Sequence, residues 1–323
     1  MDMRHAPGTA TVAIVGGAGA VGSTTAFALL ESDLVGEIAL VDIDDERAAG
    51  QAADLGHAAR FDSPTTVRTG SYADCRGADV VIVTAGAGQE PGETRLELLD
   101  RNAEIFAETI PTVTDGMGDH AVLLVVTNPV DVLTHVAWSV SDLPADRVIG
   151  SGTVLDTARF RHAIGRELDV APASVEGYVI GEHGDTEVPV WSATTVGGVP
   201  FAQYATRHGV TDVARLRSRI DDDVRSAADG IIRRKGRTNY GVARAVATTV
   251  DRILGDDAAV LPVSTLVSGH HGIDDDAFVS LPCTLRRDGV RDVVELDLSA
   301  AERESLADSA AVVRGAIDRL TLG

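Results

Sequence analysis

The tightest constraint on the fold is a glycine run, Gly17-Ala18-Gly19-Ala20-Val21-Gly22. It lies between the apolar stretch TVAIVG at 11–16 and a segment where Thr24, Ala26 and Leu29 fall at helical spacing. A chain that passes from strand to helix over three glycines brings its backbone up against an anion. In this reading Gly17 makes the turn, Gly19 allows close approach to a pyrophosphate, and Gly22 lets helix and strand pack closely. Twenty residues after Gly22, Asp42 stands at the end of the next apolar run, EIALVDI at 37–43. A carboxylate there accepts hydrogen bonds from ribose hydroxyls and repels a 2′-phosphate, and no basic residue follows until Arg47. The two features together predict a dinucleotide site for NAD in preference to NADP.

Three more apolar runs follow, ADVVIVTAG at 78–86, HAVLLVVTNP at 120–129 and RVIGS at 147–151, with helical stretches between them. Continuously apolar strands alternating with helices predict a parallel sheet covered on both faces. With aromatics at only 4% of the 323 residues, its core has to be built from Ala, Val, Leu and Ile.

From about 152 the pattern changes. A helix over 152–168 precedes strand-like VEGYVIG (175–181) and VPVWSAT (188–194), then helices near 211–233 and 238–254. Strands VLPVSTL, AFVSLPCTL and VRDVVEL follow, and then a last helix over 299–320 that opens on a Ser299/Glu302 capping box. The expected architecture is α/β: a Rossmann-type doubly wound parallel sheet over 1–150, the NAD-binding domain, followed by an α+β substrate and catalytic domain over 151–323.

The formal net charge is −21, which argues against nucleic acid or an anionic membrane as partner. The N-terminus has no basic region backed by a long apolar one and no apolar run approaches membrane length, so a soluble, cytoplasmic protein is expected. Cys75 and Cys283 are far apart and match no ligand spacing; they read as buried or free thiols, not a disulfide framework. The acidity, with Lys235 the sole lysine, suggests adaptation to high internal salt. No metal site is expected; His270 and His271, next to Asp274, Asp275 and Asp276, read as solvent-exposed.

The chemistry points to the second half. His183 sits between Glu182 and Gly184 in Gly-Glu-His-Gly-Asp (181–185), just after a strand, where an imidazole can face a cleft and exchange a proton near neutral pH. Asp156 is a candidate carboxylate to hold it cationic, and Arg159, three residues on, projects from the same helix face.

With these residues in place the chain resembles the L-lactate/malate dehydrogenase family over essentially its whole length. The resemblance is carried by GAGAVG, VDID, TAGAGQEPGETRLELLDRN, VVTNPVD, SGTVLDTARFR, GEHGDTEVPVWS and RRKGRTNYGVA. VDID, GQAAD and GEHGD look like haloarchaeal members in particular. The resemblance implies that His183 is the acid/base, that Asp156 orients it, and that Arg159 forks onto the substrate carboxylate. It implies that Arg95, on a loop over 86–94 that closes as a lid, polarises the substrate carbonyl. Asn128 matches a residue near the substrate oxygen and the cofactor, with a cis bond to Pro129, and Thr238 matches one lining the substrate pocket.

Where relatives that reduce oxaloacetate carry an arginine, this chain has Gln89, which favours pyruvate/L-lactate as the small 2-oxo/2-hydroxy acid pair. Malate/oxaloacetate stays open as the alternative, since Arg101 and Arg237 could supply a charge. Relatives form homotetramers as dimers of dimers, and the helix around Asp54, Leu55 and His57 matches their dimer contact. Arg161 matches an arginine that binds fructose 1,6-bisphosphate in activated bacterial relatives, but Glu176 replaces its histidine partner. No activation by that ligand is therefore expected.

Overall fold

The computed structural model describes residues 7–88 and 95–320, without the Arg95 side chain. The first half runs β1 (Ala10–Val15), α1 (Ala20–Leu29), β2 (Val35–Val41), α2 (Asp45–Ala59), β3 (Thr66–Gly70) and β4 (Val80–Val83). It continues through α3 (Arg95–Thr114), β5 (Val122–Val125), α4 (Val130–Ser141) and β6 (Val148–Gly150). These six strands pair in parallel in the order β6-β5-β4-β1-β2-β3, so the winding reverses between β1 and β4. The continuous apolar runs explain the layering. Ala13, Val15, Val81, Val83, Leu123 and Val125 enter the core on one face of the sheet. Val12, Ile14, Val80, Ile82, Val122 and Leu124, alternating with them, enter the core on the other.

The second half begins with α5 (Val154–Leu168) and five two-residue strands, β7 (Val175–Glu176), β8 (Val179–Ile180), β9 (Val188–Pro189), β10 (Thr195–Val196) and β11 (Val199–Pro200). Then come α6 (Phe201–Arg207), α7 (Val213–Lys235), α8 (Tyr240–Gly255), β12 (Val260–Leu266), β13 (Phe278–Arg286), β14 (Gly289–Val293) and α9 (Ala300–Ile317). The three longer strands form no sheet of their own. They extend the parallel sheet antiparallel in the order β14-β13-β12-β6, joined through Ser264 opposite Gly150, so one nine-stranded sheet crosses the two halves.

Some local expectations need correction. The strand expected over 188–194 stops at Pro189, because Trp191 is diverted. Its indole N–H donates to Asp221 Oδ1 (3.0 Å) and its ring packs on Phe160 and Phe201 in a third apolar cluster that includes the unexpected α6. His271 is not exposed: its loop closes on itself through Gly269 N–H to Ile273 O (2.7 Å), and the positive φ of His271 turns the ring inward, 3.4 Å from Glu295. Leu55 faces the core of its own chain, leaving Asp54 and His57 on the outer face of α2. The Ser299/Glu302 capping box forms as expected. Both cysteines are buried free thiols, and no cluster among the described residues could hold a metal ion.

Candidate active site

Three segments far apart in sequence meet at His183. The first turn of α5 is stitched to β8: Thr153 Oγ1 donates to the carbonyl of Val179 (2.5 Å), and the Val179 N–H donates to Thr157 Oγ1 (2.9 Å). That pairing turns Asp156 toward the loop after β8. The loop leaves the strand at Gly181, whose φ of +87° suits glycine and whose backbone pairs with Ser280 of β13 in both directions. Its course is then set by the His183 N–H, which donates to Asp131 Oδ2 (2.7 Å) on the first turn of α4.

The side chains converge on one carboxylate. Asp156 is buried; its Oδ2 lies 2.5 Å from His183 Nδ1, and its Oδ1 accepts from Arg159 Nη1 at 2.8 Å. An ionised carboxylate only accepts, so the proton between the pair belongs to Nδ1 and the opposite nitrogen, Nε2, is the one available for chemistry. Burial opposes a charged imidazole, but the charge and hydrogen bond of Asp156, helped by Asp131, outweigh it and raise the His183 pKa to about 9. Burial likewise opposes ionisation of Asp156. The neighbouring His183 and Arg159 win, holding its carboxyl below the usual range. The site is thus built to keep an imidazolium at neutral pH beside a guanidinium that is 17% exposed: one proton donor and one carboxylate fork.

Two further carboxyls stand behind this pair. Asp131, 2% exposed, is pushed by burial up to about 6. Glu187, 4% exposed with no hydrogen-bond partner for Oε1, is pushed by burial and then by Asp156 up to about 8.

At the glycine loop, the turn closes from the Gly19 N–H to the Gly16 carbonyl (3.0 Å) with Gly17 and Ala18 at its centre, and the residue that opens it is left-handed. Gly16, not Gly17, has the positive φ, +84°, and a Cβ there would lie 2.5 Å from the Ala85 nitrogen. Gly22 acts as expected: a Cβ would lie 2.4 Å from the Gly16 carbonyl. A Cβ on Gly17 would lie 2.9 Å from the Ile14 carbonyl and from Leu40, Gly19 keeps the loop bare, and no side chain caps the start of α1, which leaves its amides for a phosphate. Asp42 folds back on this loop. Its Oδ2 accepts from Ala18 N–H (2.9 Å) and its Oδ1 from Asp44 N–H (3.1 Å). A bare loop, an uncapped helix start and a carboxylate at the strand end fit a dinucleotide.

Asn128 is exposed and precedes a cis peptide to Pro129. Asn102, buried on α3, ties this region to the start of the 86–94 loop: its Oδ1 accepts from Ala87 N–H (2.7 Å), and Arg101 Nη2 donates to the Gly88 carbonyl (2.9 Å). Gln89 and the Arg95 side chain lie outside the described residues. Thr238 is half-buried between α7 and α8, whereas Arg237 is exposed and lines a polar cavity with Ser23 and Thr24 of α1. Arg161 Nε donates to the Gly177 carbonyl (3.1 Å) while its guanidinium lies over Tyr178, and Glu176 is exposed.

Sequence reasoning missed Gly16, Asp131, Glu187 and Asn102. Gly16 could have been found from the double glycine, and Asp131 from its place just after Asn-Pro at a helix start. Nothing local marks the other two.

Comparison with known proteins agrees along the chain. Residues 10–150 match the NAD binding domain of lactate/malate dehydrogenase, and 153–321 match its alpha/beta C-terminal domain. An L-lactate dehydrogenase of Moorella thermoacetica is 46% identical over 315 residues, covering 98% of this chain and 99% of that one. L-lactate dehydrogenase 1 of Clostridium acetobutylicum is 42% identical, covering 94% and 96%. The crystal structure of a minor L-lactate dehydrogenase from Enterococcus mundtii, in a ligand-bound form, superposes with a TM-score of 0.92 at 38% identity, covering 98% and 99%. These relatives are bacterial and lend no support to a specifically haloarchaeal character.

Proposed function

The chain belongs to the lactate/malate dehydrogenase family, and from that premise we propose that it is an NAD-dependent L-lactate dehydrogenase that interconverts pyruvate and L-lactate. The observation that carries the proposal is the buried Asp156 shared by His183 and Arg159 at 2.5 and 2.8 Å. Bound NADH supplies a hydride. Arg159 holds the substrate carboxylate, which orients the 2-oxo carbon, and His183 Nε2 gives its proton to the carbonyl oxygen as the alkoxide forms. Asp156 keeps the imidazole oriented and charged until then, and Asp131 fixes the backbone of its loop. Arg95 polarises the carbonyl from the closed lid; Asn128 and Thr238 complete the pocket. Gly17, Gly19 and Gly22 cradle the pyrophosphate, with Asp42 at the ribose.

Residues 1–150 bind NAD and 151–323 bind substrate. The protein assembles as a homotetramer in the cytoplasm, tolerates high salt through its acidic surface, and is not activated by fructose 1,6-bisphosphate. No helix among the described residues is long and apolar enough to cross a membrane.

Gln89 decides the substrate. A neutral amide accepts the methyl group of pyruvate, whereas oxaloacetate would bury a second carboxylate without a partner. NADH oxidation measured with both acids should give a higher kcat/KM for pyruvate. Gln89→Arg should move the ratio toward oxaloacetate by roughly two decades. A wild type that prefers oxaloacetate would make the protein a malate dehydrogenase.

A further inference from the structure

We propose that the groove between α5 and α7 is the entry route for the anionic substrate, with Arg233 and Arg234 holding its carboxylate at the mouth before Arg159 takes it. The inference rests on the 2-oxo acid reading above and adds the path by which the acid arrives.

The groove is a cavity of about 500 Å³, and its ionisable lining is Arg159, His162, Arg166, Arg233, Arg234 and Asp223. Four arginines and a histidine face one aspartate, in a chain with 49 acidic residues and 28 Lys and Arg. Such a lining runs against the charge of the whole molecule.

The groove is also aligned on the catalytic arginine. Ion pairs Arg166–Asp223 and Arg219–Glu167 make α5 and α7 antiparallel neighbours. Arg159 lies seven residues before Arg166 on α5, and Gly230 seven residues after Asp223 on α7, so the two are level. A Cβ on Gly230 would meet only the Arg234 side chain, at 3.3 Å, so the wall opposite Arg159 is open at that level. Over the gap lies Arg234, whose Nη1 donates to the Gly230 carbonyl at 3.1 Å.

Existing carboxylates already hold Arg159 and Arg166, through Asp156 and Asp223. Among the described residues Arg233 and Arg234 form no ion pair, and both are exposed. The helix dipole alone favours basic residues in a last helical turn. It does not account for a glycine gap beside Arg159 with these two charges next to it. A carboxylate entering the gap meets Arg234 first and then, across the groove, the guanidinium that will fork onto it. Around the groove the long-range field repels anions, so a local positive mouth raises the capture rate where it matters.

The test is kcat/KM for pyruvate with saturating NADH, in about 0.05 M and about 1 M KCl, where the screening length falls from over 10 Å to about 3 Å. The double variant Arg233→Gln/Arg234→Gln should lose roughly five- to tenfold at low salt and less than about twofold at high salt. The control Arg252→Gln/Arg291→Gln removes the same charge from exposed sites outside the groove and should match wild type at both. Gly230→Leu, which fills the gap, should lower kcat/KM at both salt levels and leave the NADH Kd unchanged. Equal loss in the control, or a loss in the arginine pair that persists at high salt, overturns the proposal. Running oxaloacetate alongside separates the two ideas. If it is the better substrate, the lactate reading fails and the groove is judged on oxaloacetate by the same salt criterion.

Discussion

The glycine loop before α1 and the loop that carries His183 are both held in one conformation, but by opposite means. The first depends on missing atoms: Gly16 and Gly22 bring backbones to distances where a Cβ would lie 2.5 and 2.4 Å from its neighbours. The second depends on charge. Asp131 grips the backbone of His183 and Asp156 grips its ring, and each carboxylate comes from a different helix. A site made from sterics keeps its shape across pH and salt. One made from buried charge changes its chemistry with the protonation of a few groups.

Removing each device in turn separates the two loops. Replacing His183 with Gln should lower kcat for pyruvate reduction by roughly 10³-fold while leaving the NADH Kd unchanged, because the glycine loop does not depend on it. Stopped-flow reduction and fluorescence titration of NADH check the two halves of this statement. A change in cofactor affinity would show that the loops are not independent.

Gly22→Ala should do the reverse. The added methyl drives the Gly16 carbonyl away from the start of α1, which should weaken NADH roughly tenfold and lower Tm by roughly 3–6 °C. The Tm loss should be the same at pH 6 and pH 9, as expected of a purely steric device.

The smallest effect is the most diagnostic of charge. The His183 pKa rises from 6.5 to about 9 on folding, so its interaction with Asp156 stabilises the fold fully below about 6.5 and is lost as pH climbs through about 9. Glu187, raised from 4.5 to about 8, acts in the same sense over that lower window. Tm should therefore decline between pH 6 and 9, and pyruvate kcat/KM should hold to about pH 9 and then fall as the imidazolium is lost. In Asp156→Asn the fall in kcat/KM should begin at least one pH unit lower. An unmoved profile would mean that Asp156 does not set the charge of His183.

What could be read from the sequence divides along the same line. Steric devices are local: a glycine run after an apolar strand, with an aspartate twenty residues on, signals itself, and only the left-handed Gly16 that opens the turn went unread. The strand runs were equally plain, because a doubly covered sheet needs apolar residues at every position. Charge devices are assembled by topology. Asp131 becomes part of the site only because α4 begins beside the loop after β8, and Glu187 only because it is buried near Asp156. Gln89 could be interpreted by resemblance but not by geometry. Trp191 read as a strand residue because it continues the apolar, β-branched run that begins at Val188; its indole found a carboxylate on α7 instead.

The Asp131–His183 hydrogen bond also limits how such a molecule can be recombined. The aspartate belongs to the first half of the chain and the histidine to the second, and the β6–β12 contact joins the same two parts. A chimera that takes its first 150 residues from one relative and the remainder from another inherits both joints from different parents. It can keep two well-folded halves and still misplace the His183 imidazole if α4 begins half a turn away, so the useful crossover points are those that carry Asp131 and His183 together.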